Sequence, residues 1–167
     1  MAPGSMPAPA SQANWFRPSS VSRLRCTRTS PSARKPRPIS RRAYQRADIH
    51  IVTSASMNRL AGLLLDASQV NSRRFRPNIV IETDASRDGF VEQQIIGKVL
   101  SIGEARIMIS EPCARCTFTA LAQGRLAFEP AVLQTIARHG EGGFGALCQV
   151  MQPGKIRLGD QVTLNEA

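Results

Sequence analysis

The sequence predicts a β-rich α+β domain, barrel-like and carrying a few helices, behind a basic N-terminal tail. Two observations predict it. Short β-prone runs recur between Gly- and Pro-marked turns, whereas only two stretches carry helical apolar spacing, and strands do not alternate with long helices as a doubly wound fold requires. At 167 residues the chain suits one domain plus an appendage.

The appendage is residues 1–46. It holds ten Lys and Arg and no acid, while residues 47–167 hold twelve basic and twelve acidic residues. The formal charge of +10 therefore belongs to the tail, and the domain is neutral. Trp15, Phe16, Val21, Leu24 and Ile39 are too thinly spread among Pro and Ser to bury a core, so the tail is expected to be disordered. An Arg- and Ser-rich, acid-poor leader has the composition of an organelle transit peptide, of a flexible extension or of a mis-called start. A nucleic-acid or anionic-surface role would reside in this tail, and no specific nucleic-acid partner is expected. No apolar run approaches the roughly 18 residues of a membrane helix, and no secretory signal is present. The expected location is cytoplasmic, or an organelle if the tail is a transit peptide.

In the domain, Ile49 to Val52 reads as a strand feeding a helix that a Ser caps, with Met57, Leu60, Leu63 and Leu64 on its apolar face. Residues 66–74 read as a polar connection. Pro77 marks the entry to a strand at Ile79-Val80-Ile81. Residues 99–102 and 105–109 form a hairpin about Gly103-Glu104, and Thr117-Phe118-Thr119 is a further strand candidate. The best helix runs from Pro130 to a stop at Gly140. Gly140, Gly142, Gly143 and Gly145 read as a mobile loop without the Lys-Ser or Lys-Thr of a phosphate loop. Residues 146–151 and 155–164 suggest closing strands around the turn Gln152-Pro153-Gly154.

The cysteines are Cys26, Cys113, Cys116 and Cys148, read as free thiols or ligands in the absence of a secretory signal. Glu111-Pro112-Cys113-Ala114-Arg115-Cys116-Thr117 is the most informative cluster. Its two thiols can be half of a zinc site completed by His139 and Cys148, but those two lack a recognised ligand spacing. They can be a thioredoxin-like dithiol, but the residues after Cys116 favour strand over helix. A single thiol made reactive by Arg115 and an inert buried cysteine remain open together. A second cluster, Arg73-Arg74-Phe75-Arg76-Pro77-Asn78, offers forked cations and an amide to a phosphate, or is a solvated strand entrance. His50 and His139 read as structural.

Arg73 to Ile81, Pro112 to Thr117 and Pro153 to Val162, in that order, resemble the signature blocks of the MOSC (molybdenum cofactor sulfurase C-terminal) domain family. Ile49 to Met57 also looks like that family, and the likeness spans roughly residues 48–164, nearest to the amidoxime-reducing branch and its bacterial relatives. The resemblance implies a MOSC-type β-barrel over residues 47–167 that binds the molybdenum cofactor, a phosphorylated pterin bearing a dithiolene. It implies Cys116 as molybdenum ligand and catalytic residue, Arg115 near the cofactor, and Arg76 and Asn78 on the pterin or its phosphate. The implied reaction is reduction of N-hydroxylated compounds, with electrons from a ferredoxin-like, flavin- or haem-containing partner. The alternative it implies is a sulfur-carrier or cofactor-delivery module working with a cysteine desulfurase that carries the pyridoxal phosphate. Ala114 stands where that family often has Ser, Leu147 where it often has Tyr, and only the basic tail stands where relatives carry a further barrel-like region.

Overall fold

Residues 16–17 and 49–166 are described by the computed structural model. The strands are β1 (Phe16–Arg17), β2 (Ile49–Thr53), β3 (Ile79–Thr83), β4 (Val99–Ile102), β5 (Ala105–Ala114), β6 (Gly143–Gln152) and β7 (Val162–Asn165). The helices are α1 (Ser54–Gly62), α2 (Ser72–Phe75), α3 (Val91–Gln94) and α4 (Pro130–His139), with 3₁₀ turns at Ala67–Gln69 and Thr117–Ala120. The strands close into a barrel in the order β1-β3-β2-β6-β5-β4-β7. Among the described residues only β2 and β3 pair in parallel, because α1 and α2 carry the chain back to the start of the sheet between them.

Alternation along the strands separates two apolar surfaces. Ile51, Ile81, Leu100, Ile107, Ile109 and Ala146 meet in one cluster drawn from strands all round the barrel. Val52, next along β2, joins Phe144, Phe75, Leu60, Val132 and Ile136 in a second cluster between the barrel wall and the helices. Each buried Ile, Leu or Phe contributes about 1.5–3 kcal/mol, so the two faces together outweigh any local propensity.

Several expectations are corrected. Thr117–Ala120 is a 3₁₀ turn and not a strand: Thr119 N–H donates to Cys116 O at 3.0 Å, and burial of Thr119 and Ala120 overrides the β-propensity of Thr and Phe. Residues 66–74 are more than a connection, since Asp66 caps the first 3₁₀ turn and Asn71 caps α2. Thr53 rather than a Ser caps α1, its hydroxyl accepting from Ser56 N–H. Gly143 and Gly145 lie within β6, so the glycine-rich stretch is a turn entering a strand. Of residues 155–164, only those from Val162 are in a strand. Residues 154–160 fold onto the β4–β5 turn, where Glu104 N–H donates to Lys155 O and Glu104 accepts from Lys155 N–H. α3 has no announcing pattern in the sequence, and neither does β1. The two residues of β1 come from the tail and close the barrel by pairing with β3 and β7. Everything else expected of residues 1–46, Cys26 included, lies outside the described residues.

One buried acid belongs to the framework. Glu92, on α3, is 1% exposed and accepts from Thr53 N–H and the Ser56 hydroxyl at the start of α1. Burial pushes its pKa up, and the hydrogen bonds from Ser56 and Thr53 oppose that rise.

Candidate functional site

The chain leaves β5 at Ala114 and passes through Arg115 and Cys116 into the Thr117–Ala120 turn. Arg115 N–H donates to Gly142 O at 2.9 Å, which fixes this segment against the entry to β6. Cys116 is extended (φ −114°, ψ 178°) and opens the 3₁₀ turn with its carbonyl. It is exposed, whereas Cys113 and Cys148 are buried. Burial pushes the Cys113 thiol up against the opposing charge of Arg115, and burial pushes Cys148 up to about 12. Cys116 is thus the one thiol among the described residues that a ligand can reach.

The Arg115 side chain runs back over the outer wall of the barrel. Its guanidinium donates to Phe144 O (3.0 Å from Nε), to Phe75 O (3.2 Å), and lies 2.6 Å from His50 Nε2. It also stands over the Phe75 and Phe144 rings at 5.6 and 6.0 Å from their centroids. Burial, followed by the charge of Arg115, lowers the pKa of His50 to about 4, while backbone hydrogen bonds at Arg76 and Phe144 pull the other way. At neutral pH the ring is therefore uncharged, and Nε2 is the acceptor for Arg115.

His50 in turn holds the Arg-Pro-Asn segment. His50 N–H donates to Asn78 Oδ1 at 2.8 Å, and Asn78 N–H donates to His50 O at 2.8 Å. Because the side-chain oxygen is committed to a backbone N–H, the Asn78 NH₂ is left as the outward donor. Arg76 caps α2 in a left-handed conformation (φ 53°), and both Arg76 and Asn78 are exposed. Gly145 makes the arrangement possible. A Cβ there would lie 2.6 Å from His50 Nε2 and 2.5 Å from Ile51 O.

Arg76, Asn78 and Arg115 thus meet at His50, Asn78 through its side-chain oxygen, Arg115 through its guanidinium and Arg76 through its backbone, and Cys116 follows Arg115 directly in the chain. Pro153 to Val162 does not join them: Gln152 pairs with Arg106 at one end of the β5–β6 ladder and Gly143 with Ala114 at the other. About 30 Å of strand separates that loop from Cys116. Cys113, Cys116, His139 and Cys148 do not form a zinc set, since no group of three or more His, Cys, Asp or Glu among the described residues could hold a metal. His50 was read as structural, yet it contacts Asn78 and Arg115 among the candidate residues. Its alternation with Ile51, which turns its ring to the outer face beside Val52, is the one signal the sequence offers for it.

The family model that matches this chain is the MOSC domain, over residues 38–163. The chain belongs to the MOSC domain family. Among solved structures, this MOSC chain is similar to YiiM from Geobacillus stearothermophilus at 19% identity and a TM-score of 0.54, over 72% of this chain and 55% of that one. It is similar to YiiM from Escherichia coli at 16% identity and a TM-score of 0.51, over 73% and 56% of the two chains. A third structure, of a hypothetical protein, aligns at 19% identity and a TM-score of 0.51, over 71% and 51%. These likenesses concern the fold, and the matched region of this MOSC chain spans about half the length of each of the three. No curated protein sequence matches it. No helix among the described residues is long and apolar enough to cross a membrane.

Proposed function

We propose that this MOSC protein binds the molybdenum cofactor, with the Cys116 thiolate as the ligand to molybdenum and with Arg76 and Asn78 holding the pterin or its phosphate. The observation that carries the reading is that Arg115, the residue before the exposed Cys116, donates to Phe75 O and lies against His50, which ties the thiol segment to the exposed Arg76 and Asn78 about 40 positions away in sequence. The donor set suits the group: a thiolate is a soft ligand for the metal, and forked or amide donors suit phosphate and pterin oxygens. Arg115 and His50 lie beneath this surface and hold the two segments together. When bound, the cofactor would supply a redox centre for reducing N-hydroxylated compounds, with electrons from a ferredoxin-like, flavin- or haem-containing partner.

Molybdenum content tests this. Wild type and Cys116→Ala, produced with the cofactor available, are compared by metal mass spectrometry beside Cys113→Ala as a control. The expected result is molybdenum in wild type and Cys113→Ala and little in Cys116→Ala; equal content in all three overturns the assignment. The exposure of Cys116 also favours a second reading, a sulfur carrier served by a pyridoxal-phosphate-dependent cysteine desulfurase. That reading requires a persulfide on Cys116 after incubation with such an enzyme and cysteine, and absence of the adduct removes it.

A further inference from the structure

We infer that Arg74 is a positioning residue, which sets the spacing between the Cys116 thiol and the anion-binding face at Arg76. The inference rests on the reading of Cys116 and Arg76 given above. Arg74 lies in α2 and is 2% exposed, one of the largest fully buried side chains in the protein. Neither of the ion pairs among the described residues involves it. Burial lowers its pKa and the charge of the Glu129 carboxylate opposes that, while its direct hydrogen bonds go to neutral oxygens. Nε donates to Gln69 O at 3.0 Å, one terminal nitrogen donates to Thr119 O at 3.0 Å and Leu121 O at 3.2 Å, and the other donates to Gln69 Oε1 and Ala127 O, both at 3.0 Å.

A buried guanidinium is a costly way to fill space, since an apolar side chain of similar volume packs as well without desolvating a charge. What the planar fork supplies, and a hydrocarbon does not, is simultaneous attachment to three separate segments. Two of its acceptors, Thr119 O and Leu121 O, belong to the turn that Cys116 opens. The attachment is reciprocal. Arg74 reaches from α2 to the thiol segment, and Arg115 reaches from the thiol segment to Phe75 O at the end of α2. Arg76 is the C-cap of that same short helix. Two crossed arginine contacts therefore tie the element that carries the cation to the element that carries the thiol, and neither arginine side chain has to touch the ligand.

The test uses the full-length, cofactor-free chain and two iodoacetamides, one neutral and one bearing a phosphomonoester. In both, the thiolate sulfur displaces iodide to form a carbon–sulfur bond, and the thiol proton goes to buffer. The alkylation rate at Cys116 is read by peptide mass spectrometry, and the measured quantity is the ratio of the phosphorylated to the neutral rate. Because a loosened fold would also lower that ratio, circular dichroism melting is measured beside it, and the ratio of a variant that melts with wild type reports placement of the anion site against the sulfur. Wild type is expected to favour the phosphorylated reagent by on the order of tenfold. Arg76→Ala and Arg74→Lys should each bring the ratio close to one, with the double variant no lower. Gln69→Leu, which removes one acceptor and leaves the charge in place, should give an intermediate ratio and serves if Arg74→Lys does not fold. A ratio lost in Arg76→Ala but kept in both Arg74→Lys and Gln69→Leu overturns the positioning role alone. A wild-type ratio of one, or one that Arg76→Ala leaves unchanged, overturns the reading of the site beneath it.

Discussion

Three glycines allow strain and collision to be separated by experiment. Gly62, at the end of α1, has an ordinary backbone conformation and nothing within 4 Å of a new Cβ. Gly142 has φ +78° and equally open space. Gly145 has φ +76°, and a Cβ there would meet Ile51 O at 2.5 Å, His50 Nε2 at 2.6 Å and Val52 Cγ2 at 2.8 Å. Alanine at Gly62 should therefore be neutral or stabilising by up to about 1 kcal/mol, through reduced freedom of the unfolded chain. At Gly142 the left-handed backbone costs about 1–2 kcal/mol. At Gly145 the same cost is joined by about 1–3 kcal/mol of overpacking against the β2 backbone, for a total of about 2–5 kcal/mol. At about 4 °C per kcal/mol for a domain of this size, Gly145→Ala should melt roughly 8–20 °C below wild type. Thermal unfolding followed by circular dichroism measures all three. The displaced His50 ring would lose its burial and its contact with Arg115, so its NMR-titrated pKa should rise from about 4 towards 6.5. A Gly145→Ala protein that melts with Gly142→Ala and keeps the low His50 pKa would refute the close approach on which the site geometry rests.

Stability should fall at both ends of the pH range. His50 has a folded pKa of about 4 against 6.5 unfolded, so the unfolded chain takes the proton first, and about 3 kcal/mol is lost as pH falls from 6.5 to 4. Glu92 has a raised folded pKa, so the folded state holds the proton longer and stability declines as pH rises from the ordinary carboxylate value to the raised one. Urea titrations of His50→Gln and Glu92→Gln across pH should each flatten only their own limb, and an unchanged limb would remove that residue from the account. Deleting residues 1–17 removes β1 and opens the edges of β3 and β7, so the truncated chain should unfold at lower urea and exchange the β3 and β7 amides faster. Unaltered exchange there would show that β1 does not close the barrel.

Much of the fold was legible because its causes are local. The Ile79 strand, the hairpin about Gly103 and the Pro130 helix each follow from side-chain branching, turn chemistry or a terminal signal within a few residues. The 3₁₀ turn after Cys116 was misread as a strand because its conformation is held by Arg74, 45 positions away in sequence, and no short window contains that donor. Arg74 was itself hidden among neighbours of the same charge. Arg73 and Arg76 are exposed and Arg74 is buried, and charge pattern does not distinguish them.

The amino-acid sequence alone determined the charge division between tail and domain, the β-rich class and the family likeness, each of which depends on residue identity and near spacing, and that likeness supplied Cys116, Arg115, Arg76 and Asn78 as candidates. Tertiary structure alone decided that Cys116 is the reachable thiol among the described residues, that His50 joins Asn78 to Arg115, and that Gly154 to Asp160 lies at the far end of the ladder. Those facts depend on closing a barrel, which brings distant segments together and parts near ones by the length of a strand, a consequence that no run of neighbouring residues encodes.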